Sequence, residues 1–157
     1  MSLVRHQTLI SAPVDAVWQL VGDPESYPEW ARDVIEVTGL PTVEEGATFE
    51  RSDRTPIGKS TTIFVVDRLE DLREIKLRCL TSGYYSHWTL TEAQGDCFTE
   101  VEFGMEPTTL PFKALDATLG KRLWRRTMLE SIDGLHEAVA KRLTNAPASA
   151  PNPTETG

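Results

Sequence analysis

Seven short stretches of period-two hydropathy, two brief helix signals after the first stretch, and one long amphipathic run near the C-terminal end predict an α+β protein. The expected architecture is a seven-stranded antiparallel β-sheet covered by one long C-terminal α-helix, with two short helices between strands 1 and 2. Short links between consecutive strands favour a meander over parallel crossovers, which need a dozen or more residues each.

Residues 2–11 open the chain as a strand, with Val4, Thr8 and Ile10 on one parity and His6 between them. A hydrogen-bonded His6 in the core is the expectation there. Pro13 suits the start of a helix, where its missing N–H costs nothing, and Asp15 complements the positive end of the dipole. Val14, Val17, Trp18 and Val21 follow helical spacing and form one apolar stripe. Gly22 ends this helix, Asp23-Pro24 caps a second one, and Pro28 keeps the second short. Trp30 is expected to pack where the chain re-enters the sheet, its indole N–H near a partner.

Strands are predicted over residues 33–40, 47–53, 60–69, 73–81, 84–92 and 97–106, separated by "PTVEEG", "DRTPIG", "LED", "SG" and "QGD". A two-residue turn at Gln94-Gly95 sets Leu90 opposite Thr99, Trp88 opposite Val101 and Ser86 opposite Phe103. A two-residue turn at Ser82-Gly83 sets Cys79 opposite Ser86, Leu77 opposite Trp88 and Ile75 opposite Leu90. Both turns put Ile75, Leu77, Cys79, Ser86, Trp88, Leu90, Thr99, Val101, Phe103 and Met105 on one inner face. Lys76, Arg78, His87, Glu100 and Glu102 fall on the outer face; a one-residue slip would exchange the sets. Phe64 and Val66 extend the inner face, although Ile63 and Val65 are equally apolar.

The closing helix spans about residues 110–143, with Leu115, Leu119, Leu123, Trp124, Met128, Ile132, Leu135, Val139 and Leu143 as its stripe. Gly120 weakens it locally and allows a bend or a close approach. Residues 1–143 are read as one domain. The tail 144–157, "TNAPASAPNPTETG", is too rich in Pro, Ala and Thr to bury a face and is expected to be disordered.

A net charge of −8 repels phosphate backbones, so nucleic acid is not an expected partner. The local cluster Lys121, Arg122, Arg125 and Arg126 reads as the solvated face of a helix. "MSLVRHQTLI" lacks signal-peptide character, Cys79 and Cys97 fit reduced thiols, and no apolar run is long enough to span a membrane. A cytoplasmic location is the expectation.

The pattern "I-x-APVDAVWQLV-x-DPESYPEW", followed by the meander and the long helix, resembles the helix-grip superfamily of START-like and Bet v 1-like (SRPBCC) proteins. Within it the polyketide cyclase/dehydrase and lipid-transport group is most similar, over residues 3–142. "LVGDPESYPEW" is also similar to a run in the coenzyme Q-binding and ribosome-association branch. The resemblance implies a sheet curled around the C-terminal helix, two small helices closing one end, and a cavity for an apolar or amphipathic ligand such as a lipid, a quinone or an aromatic polyketide. It does not imply catalysis.

Three scattered histidines, His6, His87 and His136, give no metal-ligand spacing, and no nucleophile elbow, phosphate loop or dinucleotide fingerprint occurs. No catalytic residue, metal or cofactor is assigned. Tyr84, Tyr85, Arg51, Asp67 and His6 are the polar groups a cyclase or dehydratase could use to shuttle protons. Arg51 in "ERSDR" and Asp67 near a strand end read as solvated, and the tyrosines as turn-flanking aromatic pairs. The expected ligand-binding wall is Phe49, Phe64, Leu77, Cys79, Ser86, Trp88, Leu90, Thr99, Val101, Phe103, Leu119 and Leu123. Ser86, Thr99 and Cys79 are small polar notes on that wall; hydroxyls bonded locally would look the same in sequence. Three functions follow as expectations: a small-molecule binder with a cavity near the ~300 Å³ lower end of ligand pockets, a polyketide cyclase/dehydratase, or an interaction module. Monomer and homodimer both fit the sequence.

Overall fold

The structure is a computed structural model and describes residues 2–55, 57–107 and 109–145. Strand β1 (Ser2–Ile10) leads into helix α1 (Val14–Val21), a 3-10 turn (Pro24–Ser26) and the single-turn helix α2 (Tyr27–Trp30). Strands β2 (Val34–Thr38), β3 (Thr48–Thr55), β4 (Gly58–Glu70), β5 (Glu74–Cys79), β6 (Tyr84–Ala93) and β7 (Asp96–Met105) follow, and helix α3 (Leu110–Asn145) closes the chain. All seven strands form one antiparallel sheet in the order β1-β7-β6-β5-β4-β3-β2. The predicted tail begins inside α3 at Thr144 and Asn145; residues 146–157 lie outside the described residues.

The segment from Pro13 to Trp30 forms a plug. Val17, Leu20 and Val21 of α1 are buried, and Asp23 caps the 3-10 turn by accepting from the Glu25 N–H at 3.1 Å. Ser26 Oγ donates to the carbonyls of Leu20 (2.7 Å) and Asp23 (2.8 Å) and accepts from Trp30 Nε1 at 3.2 Å. Tyr27 donates its hydroxyl to the Val21 carbonyl at 2.7 Å. Trp30 packs edge-on against Trp88 of β6, ring centroids 5.1 Å apart. Trp30 is therefore the anchor expected at re-entry into the sheet. Gly134 of α3 meets this plug so closely that a Cβ there would lie 2.1 Å from the Trp30 carbonyl oxygen.

The β6–β7 register is as predicted, with Leu90 opposite Thr99, Trp88 opposite Val101 and Ser86 opposite Phe103. Its two-residue turn has both Gln94 and Gly95 at positive φ, the twist that suits a tight hairpin. The β5–β6 register departs from expectation: Leu77 pairs with Ser86 and Ile75 with Trp88. The connection is a loop over Leu80–Gly83, in which the Gly83 N–H bonds to the Cys79 carbonyl at 3.0 Å and the Gly83 carbonyl accepts from Glu106 N–H at 2.9 Å. The shift is two residues, one full pleat, so the inner face survives intact. All ten side chains predicted for it are buried. Ile63 is exposed while Phe64 and Val66 are buried, which settles the parity of β4.

Helix α3 lies against the inner face but buries a different stripe at its start. Met128, Ile132, Leu135 and Val139 are core residues as expected, joined by Ser131, Gly134 and Ala138. Upstream the buried positions are Asp116, Gly120 and Trp124, whereas Leu115 and Leu123 are half-buried and Leu119 is 51% exposed. Leu143 is exposed too. The buried face drifts around the helix, so a stripe extrapolated at constant phase misses both ends. His6 also departs from expectation: it shares the parity of the buried Val4 and Ile10 in β1 yet is exposed.

Candidate functional site

Where the first half of α3 stands off the sheet, a cavity of ≈ 170 Å³ remains. Its apolar wall comes from Phe64 of β4, Tyr84 of β6, Met105 of β7, and Phe112, Leu123 and Trp124 of α3. Tyr84 stacks obliquely on Trp124 at 4.8 Å and meets Phe64 edge-on at 6.4 Å, so these rings hold one another in place. Cys79 and Thr62 share the wall and are joined by a 3.4 Å contact from Cys79 Sγ to Thr62 Oγ1. Trp124 is 7% exposed, and its indole N–H has no acceptor among the described residues.

One end of the cavity is polar. Asp33, from the link between α2 and β2, and Asp53 of β3 both line it. Behind them lies Arg51, 2% exposed and absent from the lining. Its Nε and Nη2 bond bidentately to Asp53 (2.6 and 3.0 Å), and Nη2 also reaches Asp33 at 3.2 Å. The guanidinium sits 4.2 Å over the Phe64 ring, a cation–π contact. Tyr84 donates its hydroxyl to Asp33 at 3.1 Å, completing a cluster of four.

Burial pushes the Asp33 carboxyl above the usual range, against the pull of Arg51. Burial raises the Tyr84 phenol well above its ordinary value, and the Asp33 charge adds to this, so Tyr84 is a neutral donor. Burial opposes the charge on Arg51, but Asp53 and Asp33 outweigh it and keep the guanidinium firmly protonated.

The reading of Arg51 as solvated is thereby corrected. A charge in a polar run looked exposed, but Arg51 shares strand parity with inward Phe49, and a bidentate carboxylate compensates its burial. That parity, Phe49-Arg51-Asp53, was the available signal. Tyr84 is likewise more than a turn-flanking aromatic: it faces the interior, while Tyr85 faces outward and donates to Glu102 at 2.8 Å. Asp67 lies in a bulge in β4, where it pairs with Arg78 at 2.9 Å.

Of the expected wall, Phe64, Cys79 and Leu123 border the cavity. Phe49 backs it, stacked on Phe64 at 5.9 Å. Ser86, Trp88 and Phe103 border a separate gap of ≈ 10 Å³ beside Trp30, about the size of one water probe. Leu77, Leu90 and Val101 are packed in the core, and Thr99 is fully buried beside them. Thr99 bonds locally, its Oγ1 3.5 Å from Cys97 Sγ. Leu119 faces away, onto an outer groove with Lys113, Lys121 and Arg122. The basic cluster on α3 is exposed, as expected, with Arg126 bonded to Glu130 at 3.1 Å. His87 is outward and bonded to Glu74 at 2.8 Å, and His136 lies 2.9 Å from Thr8 Oγ1. Among the described residues no group of three or more His, Cys, Asp or Glu side chains could hold a metal ion. Among them, too, no helix is long and apolar enough to cross a membrane.

A sheet gripping a long helix, with an internal cavity between them, defines a START-like α+β protein. The sequence profile of the polyketide cyclase/dehydrase and lipid transport family matches residues 1–140, and the chain belongs to that family. Solved structures agree in fold. A protein from Thermus thermophilus is 17% identical, with a TM-score of 0.72 over 89% of this chain and 98% of its own. A START superfamily protein from Mycobacterium smegmatis is 14% identical, with a TM-score of 0.70 over 88% and 97%. The Zhui aromatase/cyclase of a Streptomyces species is 17% identical, with a TM-score of 0.69 over 93% of this chain and 98% of its own. No curated protein matches the sequence.

Proposed function

We propose that the protein binds a compact apolar or amphipathic molecule in the cavity between the sheet and the first half of α3. The carrying observation is an aromatic-walled cavity with a polar cluster at one end, the composition typical of small-molecule sites. The volume of ≈ 170 Å³ falls below the ~300 Å³ expected of a ligand pocket and narrows the reading. An apolar cavity of about 150 Å³ accommodates benzene, so the space suits one ring, or one ring of a larger molecule such as a quinone or polyketide. Native mass spectrometry of gently purified protein tests this. An adduct released on denaturation is expected. No adduct, together with no thermal shift across a panel of single-ring compounds, would overturn the reading.

A second reading is a cyclase or dehydratase, favoured by the convergence of Asp33 and Tyr84 on the cavity. A neutral phenol donor bonded to a carboxyl of raised pKa can relay a proton to or from an enolisable ketone. Positioning in a dry pocket would supply much of the rate. Adding the protein to poly-ketone intermediates should change the product distribution, and Tyr84→Phe should abolish the change. Identical products with and without protein would rule the enzyme reading out.

A further inference from the structure

Three links meet at one end of the sheet: the β3–β4 turn, the β5–β6 loop and the segment from β7 into α3. The cavity reaches the surface among them, since Thr55, Thr81, Ser82 and Phe112 line it and Thr81 is exposed. The loop and the segment are tied together where the Gly83 carbonyl accepts from Glu106 N–H. Each link carries an uncovered aliphatic side chain beside this mouth: Ile57 is 99% exposed, Leu110 77% and Leu80 45%. Single exposed aliphatic residues are ordinary, but three on adjoining links around one opening form a patch.

Cations surround the patch. Residues 57–60 and 106–130 hold Lys59, Lys113, Lys121, Arg122, Arg125 and Arg126 against Glu106, Asp116 and Glu130. Six cations against three carboxylates give this end a net charge of +3 in a chain of −8, so the rest carries −11. All six cations are exposed, Asp116 is buried, and Arg126 is paired with Glu130. Lys121 and Arg122 join two shallow grooves along the outer side of α3, one holding Lys113 and the exposed Leu119, the other Arg125 and Arg126. Salt confines electrostatic attraction to about 8 Å at physiological ionic strength. A surface pressed against this end therefore meets the local positive charge rather than the negative charge of the whole chain.

We propose that this end of the molecule docks on an anionic lipid surface. Ile57, Leu80 and Leu110 enter the interface, and the cations of α3 lie against the headgroups. Aliphatic insertion and polybasic attraction are each weak alone and hold when combined. The three aliphatic side chains stand on separate links rather than in one shaped pocket, which suits a fluid surface better than a fixed protein one. Docked in this way, the cavity opens toward the acyl layer, and an apolar ligand enters or leaves without crossing water. The docking itself does not require the cavity to be filled.

The test is flotation of the unaltered full chain with vesicles of phosphatidylcholine alone, or with about a third phosphatidylserine, and a parallel measurement with soluble polyglutamate. Binding to the anionic vesicles is expected to be at least about tenfold tighter than to the neutral ones, and to fade toward about 1 M salt. Ile57→Ser with Leu110→Ser keeps every charge and should weaken anionic-vesicle binding about tenfold or more. Lys121→Gln with Arg122→Gln and Arg125→Gln should weaken it as well. All five positions are exposed, so the urea midpoints should stay at the wild-type value. Equal binding to both vesicle types, binding to neither, or anionic-vesicle binding that survives the serine pair overturns the proposal. Polyglutamate binding as tightly as the anionic vesicles assigns the patch to an acidic polypeptide and overturns it too. If the variants do not fold, the comparison of the two vesicles and polyglutamate on the unaltered chain still decides. Ligand binding in the cavity is read separately, from the adduct on the free protein, so either proposal can fail alone.

Discussion

The two halves of α3 face the same sheet and do opposite things. From Met128 to Val139 the helix is locked: Met128, Ser131, Ile132, Leu135 and Val139 are buried, and Gly134 lets the Trp30 carbonyl approach almost to contact. From Leu110 to Leu123 it is loose, with Leu110 77% exposed and Leu115 and Leu123 only half-buried. The difference lies in what fills the space between helix and sheet. At the closed end α1, the 3-10 turn and α2 supply Leu20, Val21, Tyr27 and Trp30 as packing. At the open end nothing comparable intervenes, and a ring-sized hollow with a buried charge cluster takes its place. A tightly packed end and a loose end that leaves a hollow are thus carried on one helix.

The largest expected effect strikes the open end and shows that loose does not mean unstructured. Arg51→Leu strands Asp33 and Asp53 without their shared cation and should cost about 3–5 kcal/mol, read from urea unfolding. If the loss is under about 1 kcal/mol, the carboxylates are well solvated and the cluster is not the anchor described. Next comes a matched pair along α3. Leu135→Ala at the closed end should cost about 2–5 kcal/mol through the void it leaves, and Leu123→Ala beside the cavity no more than about 1 kcal/mol. Equal costs would mean that the two ends are packed alike. Leu123→Trp sharpens the contrast: it should fill the hollow and abolish ligand adducts with little change in stability.

The smallest effects concern pH. Arg78 holds Asp67 below its usual range, and His87 does the same for Glu74. Their stabilisation is complete above the ordinary carboxylate value of about 4 and is lost as pH falls through the lower folded values. Each pair lies near the surface and should contribute under about 1 kcal/mol. Asp33 has the opposite sign. Its folded pKa is raised, so its contribution is present below about pH 4 and is lost as pH rises through the folded value. The stability of the wild type relative to Asp33→Asn should therefore decline with rising pH, while that relative to Asp67→Asn should grow. Parallel urea midpoints across pH 2.5–7 would refute this division of roles if both differences moved the same way.

Most of the architecture was legible because local periodicity is a direct physical consequence of strand and helix geometry. Two hairpins assigned independently agreed on one inner face, and that agreement survived a loop of four residues where two were expected, since a shift of two preserves the pleat. Less of the cavity wall was legible by the same means: of the twelve residues expected there, Phe64, Cys79 and Leu123 border the cavity. Leu119 does not, because the buried face of α3 drifts with position and its phase depends on what lies beneath. Arg51 was missed because a charge is stable inside only with all its partners: Asp53 is two residues away on the same face, but Asp33, 18 residues upstream, reaches it only in the fold.

Sequence alone therefore determined the order and type of the elements, the inward parity of the sheet and the proline- and tryptophan-rich plug that closes one end. These follow from spacing, turn chemistry and side-chain volume, all of which act within a few residues. Tertiary structure decided where the packing stops, how large the remaining hollow is and which charges face it. Those depend on groups from β3, β4, β6 and α3 and from the link after α2 meeting in space, and on a balance between desolvation and pairing that exists only once they have met.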